Sequence, residues 1–311
     1  MKSSFAVAAL LLSASVATAQ STPPTGGQAQ GQSSSKPAAN AAQTQPSGGG
    51  SRMPQAKSQE EYNAYKDAAS KTNPDEVAAA ADTFAAKFPN SELKEFLYKR
   101  AMNLYQQNDN AERETAMGRK AIAIDPTDPE PLIHVASALA ETTRDTDLDR
   151  QERFNEAEKD ALAAISNIDT GLHIPPNVPP EQIAAVKTSI LAMAYETLGV
   201  IHISEKNYAA AEQELQKAVE AHKTNPDAGV YLRLSVAQDN LGKYPQALDS
   251  ANKSLQFAQN GTVVQSLAKQ QQARLQKLIA AATPASPAAP APEKPATTTT
   301  PSNTTPPTTP H

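Results

Sequence analysis

The sequence predicts an all-α solenoid of about five helix pairs, with an unstructured arm at each end. Three observations predict it. Two stretches of the C-terminal half are versions of one another. Residues 57–282 carry apolar side chains at helical spacing almost throughout. The regions on either side hold little that could be buried. The first stretch reads Tyr195-x-x-Leu198-Gly199-x-x-His202, then Tyr208-Ala209-Ala210-Ala211-Glu212, then Leu215, Ala218 and Val219. The second reads Tyr231-x-x-Leu234-Ser235-x-x-Gln238, then Tyr244-Pro245-Gln246-Ala247-Leu248, then Ala251, Ser254 and Leu255. Ala211 and Ala247 lie 36 residues apart, close to the ~34 of a helix-turn-helix repeat. Such a unit cannot cover its own apolar flank, so it must stack.

Residues 1–19 have the pattern of a secretory signal. Lys2 precedes an apolar run from Phe5 to Leu12 that extends to Val16, and Ala17-Thr18-Ala19 stands before Gln20 as a cleavage site. That run is shorter than the ~20 residues of a spanning helix, and no later segment is expected to reach that length. No integral membrane span is therefore expected. The chain has no cysteine, which excludes a disulfide framework and a lipid-anchored cysteine. A net charge of −5 and a pI near 5.6, without a basic run, argue against nucleic acid and against anionic lipid. Residues 20–56 are Gln, Ser, Gly, Pro and Ala, and should be disordered. Residues 283–311 are Pro, Ala and Thr, a composition that favours extended polyproline II over a packed helix.

Between these arms the helix starts can be named. Ser58-x-x-Glu61 is a capping box, and Tyr62 and Tyr65 share a side of the helix that follows. Asn73-Pro74-Asp75-Glu76 begins a second helix, whose Val77, Ala81, Phe84, Ala85 and Phe88 run to a stop at Pro89-Asn90-Ser91. Tyr98, Ala101, Met102 and Tyr105 make the face of a third, and Ala121 to Pro126 close its partner. Pro129 opens the next helix, with Leu132, Val135, Ala136 and Leu139 inward. An enlarged polar loop, Thr142 to Glu152, separates it from Phe154-x-x-Ala157, Ala161, Ala164 and Ile165. The four prolines of Leu172 to Pro180 make that stretch an extended connector, read as an insertion between repeats. A last helix, Thr262 to Ala282, places Val264, Leu267, Gln271, Leu275, Leu278 and Ile279 on one stripe, as a terminal cap should.

Leu-Gly on a first helix followed by Tyr-x-x-Ala on a second resembles the tetratricopeptide repeat. The match is specific in the last two repeats, moderate from Phe154 to Ile165, and carried mainly by helix ends before that, where Ala111 and Glu114 replace Tyr and Ala. Small residues allow helices to cross at ~8–10 Å. Gly199, Ala211, Ala218 and Ala247 are the expected contact points, with Tyr195, Tyr208, Tyr231 and Tyr244 filling the volume between them. The resemblance implies a groove lined by the first helix of each pair and occupied by another protein or peptide. Some members grip a peptide's terminal carboxylate with Lys and Asn one turn apart, the places that Lys99 and Asn103 hold. The rest of that clamp is missing: His134 stands where a second Asn would, and Met193 and Thr197 where Lys and Arg would. Glu196, Arg233, Ile133 and Val236 are also expected to face the groove.

No His-Glu-x-x-His, Gly-rich phosphate loop, Gly-x-Ser-x-Gly or Cys nucleophile occurs. His134, His173, His202, His222 and His311 share no metal-ligand spacing, and the Asp145-Asp147-Asp149 run lacks the glycine and closing Glu of a calcium loop. No cofactor and no catalysis are expected. The expected function is an exported interaction scaffold, placed in the periplasm, with secretion as the other destination. A structural envelope protein is the alternative. In that reading the Pro/Thr tail contacts cell wall or glycan, and the repeats serve self-association.

Overall fold

The computed structural model describes residues 54–175 and 177–282. The expected signal, most of the first arm and the whole C-terminal tail lie outside the described residues. Among the described residues there are eleven helices and no strand: α1 Gln59–Ser70, α2 Pro74–Lys87, α3 Leu93–Gln107, α4 Ala111–Ile122, α5 Pro129–Thr142, α6 Arg150–Asn167, α7 Pro180–Ser204, α8 Tyr208–Ala221, α9 Ala228–Asn240, α10 Tyr244–Phe257 and α11 Val263–Ala282. Each helix packs on the next, and α1 on α3, α5 on α7, α7 on α9 and α9 on α11. Five hairpins therefore stack with their odd-numbered helices side by side, closed by α11. This is a solenoid of helical hairpins, the architecture that the tetratricopeptide resemblance implies.

Local chemistry sets the starts. Asn73 Oδ1 accepts from the backbone N–H of Asp75 and Glu76, with Pro74 in the first helical position. Asn110, Asp128, Asn207 and Asp227 cap α4, α5, α8 and α9 in the same way. The capping box at α1 is half as expected. Ser58 Oγ accepts from Glu61 N, but the Glu61 carboxylate takes the N–H of Lys57, one residue earlier. The polar loop is shorter than expected, because α6 takes in Arg150, Gln151 and Glu152. Arg153 ties what remains by donating to the hydroxyls of Thr142 and Thr143.

The core is a chain of clusters rather than one centre. In the largest, Ala157, Ala161 and Ala164 of α6 lie against α5 and α7, and Phe154 is sealed within it. Full burial of that one ring contributes about 1.5–3 kcal/mol. Further along, Ala211, Leu215 and Ala218 of α8 pack with Val230, Leu234 and Ala237 of α9. Gly199 is where α7 meets α8: a Cβ there would lie 2.6 Å from Leu215 Cγ. Gly118 of α4 does the same work against α5, with Val135 Cγ2 at 2.4 Å from such a Cβ. The tyrosines depart from expectation. Tyr195, Tyr208, Tyr231 and Tyr244 are half-buried at the margins of the clusters, Tyr195 and Tyr231 with a lysine ammonium over the ring. Leucine, valine and alanine fill the centre, where a phenolic hydroxyl would lack a partner.

Two further features shape the inner face. Residues 172–175 and 178–179 carry no helix, as the connector reading expects, with a turn at Asn177 (φ 69°), and the segment folds back onto the stack. Leu172 is buried in the main cluster, and Gly171 sits so close to the Thr127 carbonyl that a Cβ would lie 2.0 Å from it. After the connector, α7 runs for 25 residues, and it is long and apolar enough by composition to cross a membrane. This corrects the expectation that no later segment reaches that length. Its Ile190, Met193, Ala194, Leu198 and Ile201 are buried against neighbouring helices, so its apolarity belongs to the core of the stack. Replacing Gly199 with Val is expected to cost about 1–3 kcal/mol through overpacking on Leu215, read as a lower urea midpoint with unchanged slope.

Candidate functional site on the inner face

The odd-numbered helices line one face, which carries two recesses. The larger, about 550 Å³, is open and lies between the end of α5 (Glu141), α7 (Val200, Ile203), α9 (Arg233, Val236) and α11 (Leu267). The smaller, about 300 Å³, lies between α1, α3 and α5 and is walled by the connector and the first turns of α7.

Lys99 and Asn103 stand together on α3 at the smaller recess, but the Lys99 ammonium is already committed. Its Nζ lies 2.5 Å from Asp128 Oδ2 and 2.6 Å from Glu130 Oε2, and its side chain is only 10% exposed. Burial alone would lower the Lys99 pKa, yet Glu130 and Asp128 outweigh it and hold the ammonium well above the ordinary lysine range. Burial likewise works to raise the Glu130 carboxyl, and Lys99 overrides it, holding that group down at about 2. Asn103 Nδ2 donates to Glu130 Oε1 at 3.2 Å, so it too faces a carboxylate of its own chain. His134 Nδ1 lies 3.1 Å from Glu114 Oε1 on α4, with the imidazole buried. Lys99 and Asn103 thus do not form an open carboxylate clamp: the acids of the next hairpin hold the place of a ligand.

The other pair expected at the groove meets across helices. Arg233 of α9 contacts Glu196 of α7 directly and Glu141 of α5 at 3.5 Å. Burial drives the Glu196 carboxyl up to about 7, against the pull of the Arg233 guanidinium. Ile133 lines the smaller recess from a buried position, and Val236 the larger from a half-buried one.

The structure also assembles what sequence spacing did not indicate. His173, on the connector, places Nε2 3.0 Å from Asp125 Oδ2 and 3.5 Å from Glu95 Oε2, with its ring against Phe96. The Glu95 carboxylate raises the His173 pKa, against its burial. Burial in turn pushes the Glu95 carboxyl up. Glu95, Asp128 and His173 bring metal-ligating atoms within 4.8 Å of one another. Asp128 is held by Lys99, and His173 by Asp125. These charges pin the connector to the stack, and an added cation would have to displace Lys99. The helix start at Pro129 was readable from the sequence, but the pairing of its cap Asp128 with Lys99, 29 residues away, was not.

No family model matches the sequence, and no curated protein matches it. Among solved structures it is similar to the MamA protein, at 16% identity and a TM-score of 0.45 over 63% of this chain and 89% of that one. It is also similar to a tetratricopeptide repeat protein from Parabacteroides merdae, at 13% identity and 0.26 over 69% and 99%. A third is the Cut9–Hcn1 assembly of the APC/C, at 13% identity and 0.33 over 70% and 42%. The fold assignment rests on the hairpins themselves.

Lys99→Ala is expected to cost about 3–5 kcal/mol, because it strands Asp128 and Glu130 beside Glu95, whereas Asn103→Ala should cost about 1 kcal/mol; urea unfolding reads both. A ligand-gripping Lys99 would instead leave stability unchanged on removal. Glu196 generates a pH prediction. A carboxyl raised in the folded state stabilises fully below its unfolded pKa of about 4.5, and that contribution is lost as pH rises through about 7. Glu196→Gln mimics the protonated form, so it should match wild type at about pH 4 and exceed it by about 1–2 kcal/mol at pH 8.

Proposed function

We propose that this protein is a non-enzymatic scaffold, exported to the cell envelope, that docks a polypeptide along its inner face. The open recess carries this reading. Val200, Ile203, Val236 and Leu267 converge there from three helices and remain half-exposed. The ion pairs of Arg233 with Glu141 and Glu196, and of Arg274 with Asp239, border them. An apolar floor inside a rim of matched charge suits the side chains of a protein segment, whose backbone can bond the rim. Export rests on Lys2, the apolar run from Phe5 and Ala17-Thr18-Ala19; the periplasm is the proposed compartment. Residues 20–56 and 283–311 act as spacers that let the stack reach its partner.

A photocrosslinking residue at Val236, introduced in the producing cell, tests the reading. The protein recovered with the envelope fraction should begin at Gln20 and carry a discrete crosslinked polypeptide, lost on Leu267→Glu. Crosslinks absent at Val236 would refute docking there, and a retained Met1 in the cytosol would refute export.

A further inference from the structure

The smaller recess differs from the open one in what closes it. The connector supplies Ile174 and Val178, the start of α7 supplies Val186, and Tyr65, Phe96 and Leu104 face them from α1 and α3. All six are half-buried, so a set of large apolar side chains converges without closing on one another. A recess of about 300 Å³ lies at the small end of the range for small-molecule sites. The walls leave room for a compact ligand more readily than for a continuous peptide.

The charged and titratable groups lining this recess nearly all have partners. Lys99 is held by Asp128 and Glu130, His134 by Glu114, and His173 by Asp125 and Glu95. Arg100 is the exception. It pairs with no carboxylate among the described residues; one Nη donates to the Lys71 carbonyl at 2.7 Å, and its Nε–H is buried without an acceptor. The Tyr65 side chain lies close enough for the guanidinium to act on its phenol, and among the described residues its hydroxyl bonds to nothing. One end of an apolar cleft thus offers a guanidinium lacking a counter-charge and a hydroxyl lacking a bond. The Arg100 Nε–H is buried, and a buried donor is costly to leave unsatisfied.

We propose that this recess binds an amphiphilic small molecule, with a compact apolar body and one anionic head group. The body lies against Phe96, Leu104, Ile174, Val178 and Val186. The head, a carboxylate or a phosphate monoester, accepts from Arg100 and from the Tyr65 hydroxyl, since a planar guanidinium forks onto the oxygens of either. Glu130 also lines the recess and shares the single Lys99 ammonium with Asp128, so an anionic head belongs at the Arg100 and Tyr65 end and not beside Lys99.

Isothermal titration of the purified mature protein with decanoate, decyl phosphate, decanol and decyltrimethylammonium, each below its micellar concentration, tests this. The two anions should bind and the cation should not, with decanol at least tenfold weaker; the tighter anion identifies the head group. Arg100→Gln should weaken anion binding by about tenfold or more. Arg100 also ties the end of α1, so a second variant carries the test independently of folding. Tyr65→Phe removes a hydroxyl that the fold does not use, and should weaken binding several-fold at unchanged thermal stability. Val186→Glu, on the half-exposed start of α7, should abolish it. The proposal is overturned if no amphiphile binds, if the cation or decanol binds as well as the anions, or if Tyr65→Phe and Arg100→Gln both bind with wild-type affinity. None of these outcomes bears on polypeptide docking at the open recess.

Discussion

Everything in this structure depends on helices coming close enough to seal each other's apolar flanks. No hairpin has a core of its own, so α6 is covered by α5 and α7, and α8 by α7 and α9. Close approach is possible only where a side chain is small. Gly199 and Gly118 have no room for a Cβ, and Ala157, Ala161, Ala211, Ala218 and Ala247 are fully excluded from solvent. Without cysteine, no covalent bond relieves this demand. The stack stands on van der Waals fit alone, helped by caps at the helix starts.

Polar groups do a different job. They join neighbouring repeats on the inner face. Lys99 bridges α3 to the start of α5, and Arg233 bridges α9 to α7 and α5. Toward the end of the stack, Arg274 of α11 reaches Asp239 of α9. Matched charges of this kind fix how one hairpin sits on the next more than they add to stability. The two carboxylates on Lys99 also remove it from duty as a ligand contact. What the inner face still offers is the apolar floor of the larger recess, and Arg100 with Tyr65 in the smaller, walled one.

The inserted connector changes the character of the groove. In a regular stack the inner face would be one continuous channel. Here His173 and Leu172 anchor a proline-rich strap across the early repeats, and the extra turns of α7 rise beside it. One end becomes a walled pocket while the other stays a channel. A scaffold with two such recesses can respond to two kinds of ligand, because they share α5 and α7 but no pocket-lining residue.

Helix starts, the repeat spacing and the small contact residues are local or periodic properties, and they were legible because propensity, capping and a ~34-residue period act along the chain. The last two repeats could be placed almost to the residue, and the connector could be recognised from its prolines. The site was legible only as a list of side chains on the correct helices. Lys99, Asn103, His134, Glu196 and Arg233 do lie on the odd-numbered helices, but which of them is free depends on partners 20 to 37 residues away. Sequence alone settled that this is a stack of helical hairpins and where its hairpins begin. Only the tertiary structure decided which charges pair, where the connector lies and that Arg100 at the smaller recess meets no carboxylate among the described residues, because electrostatic pairing follows distance in space and leaves no period in the chain.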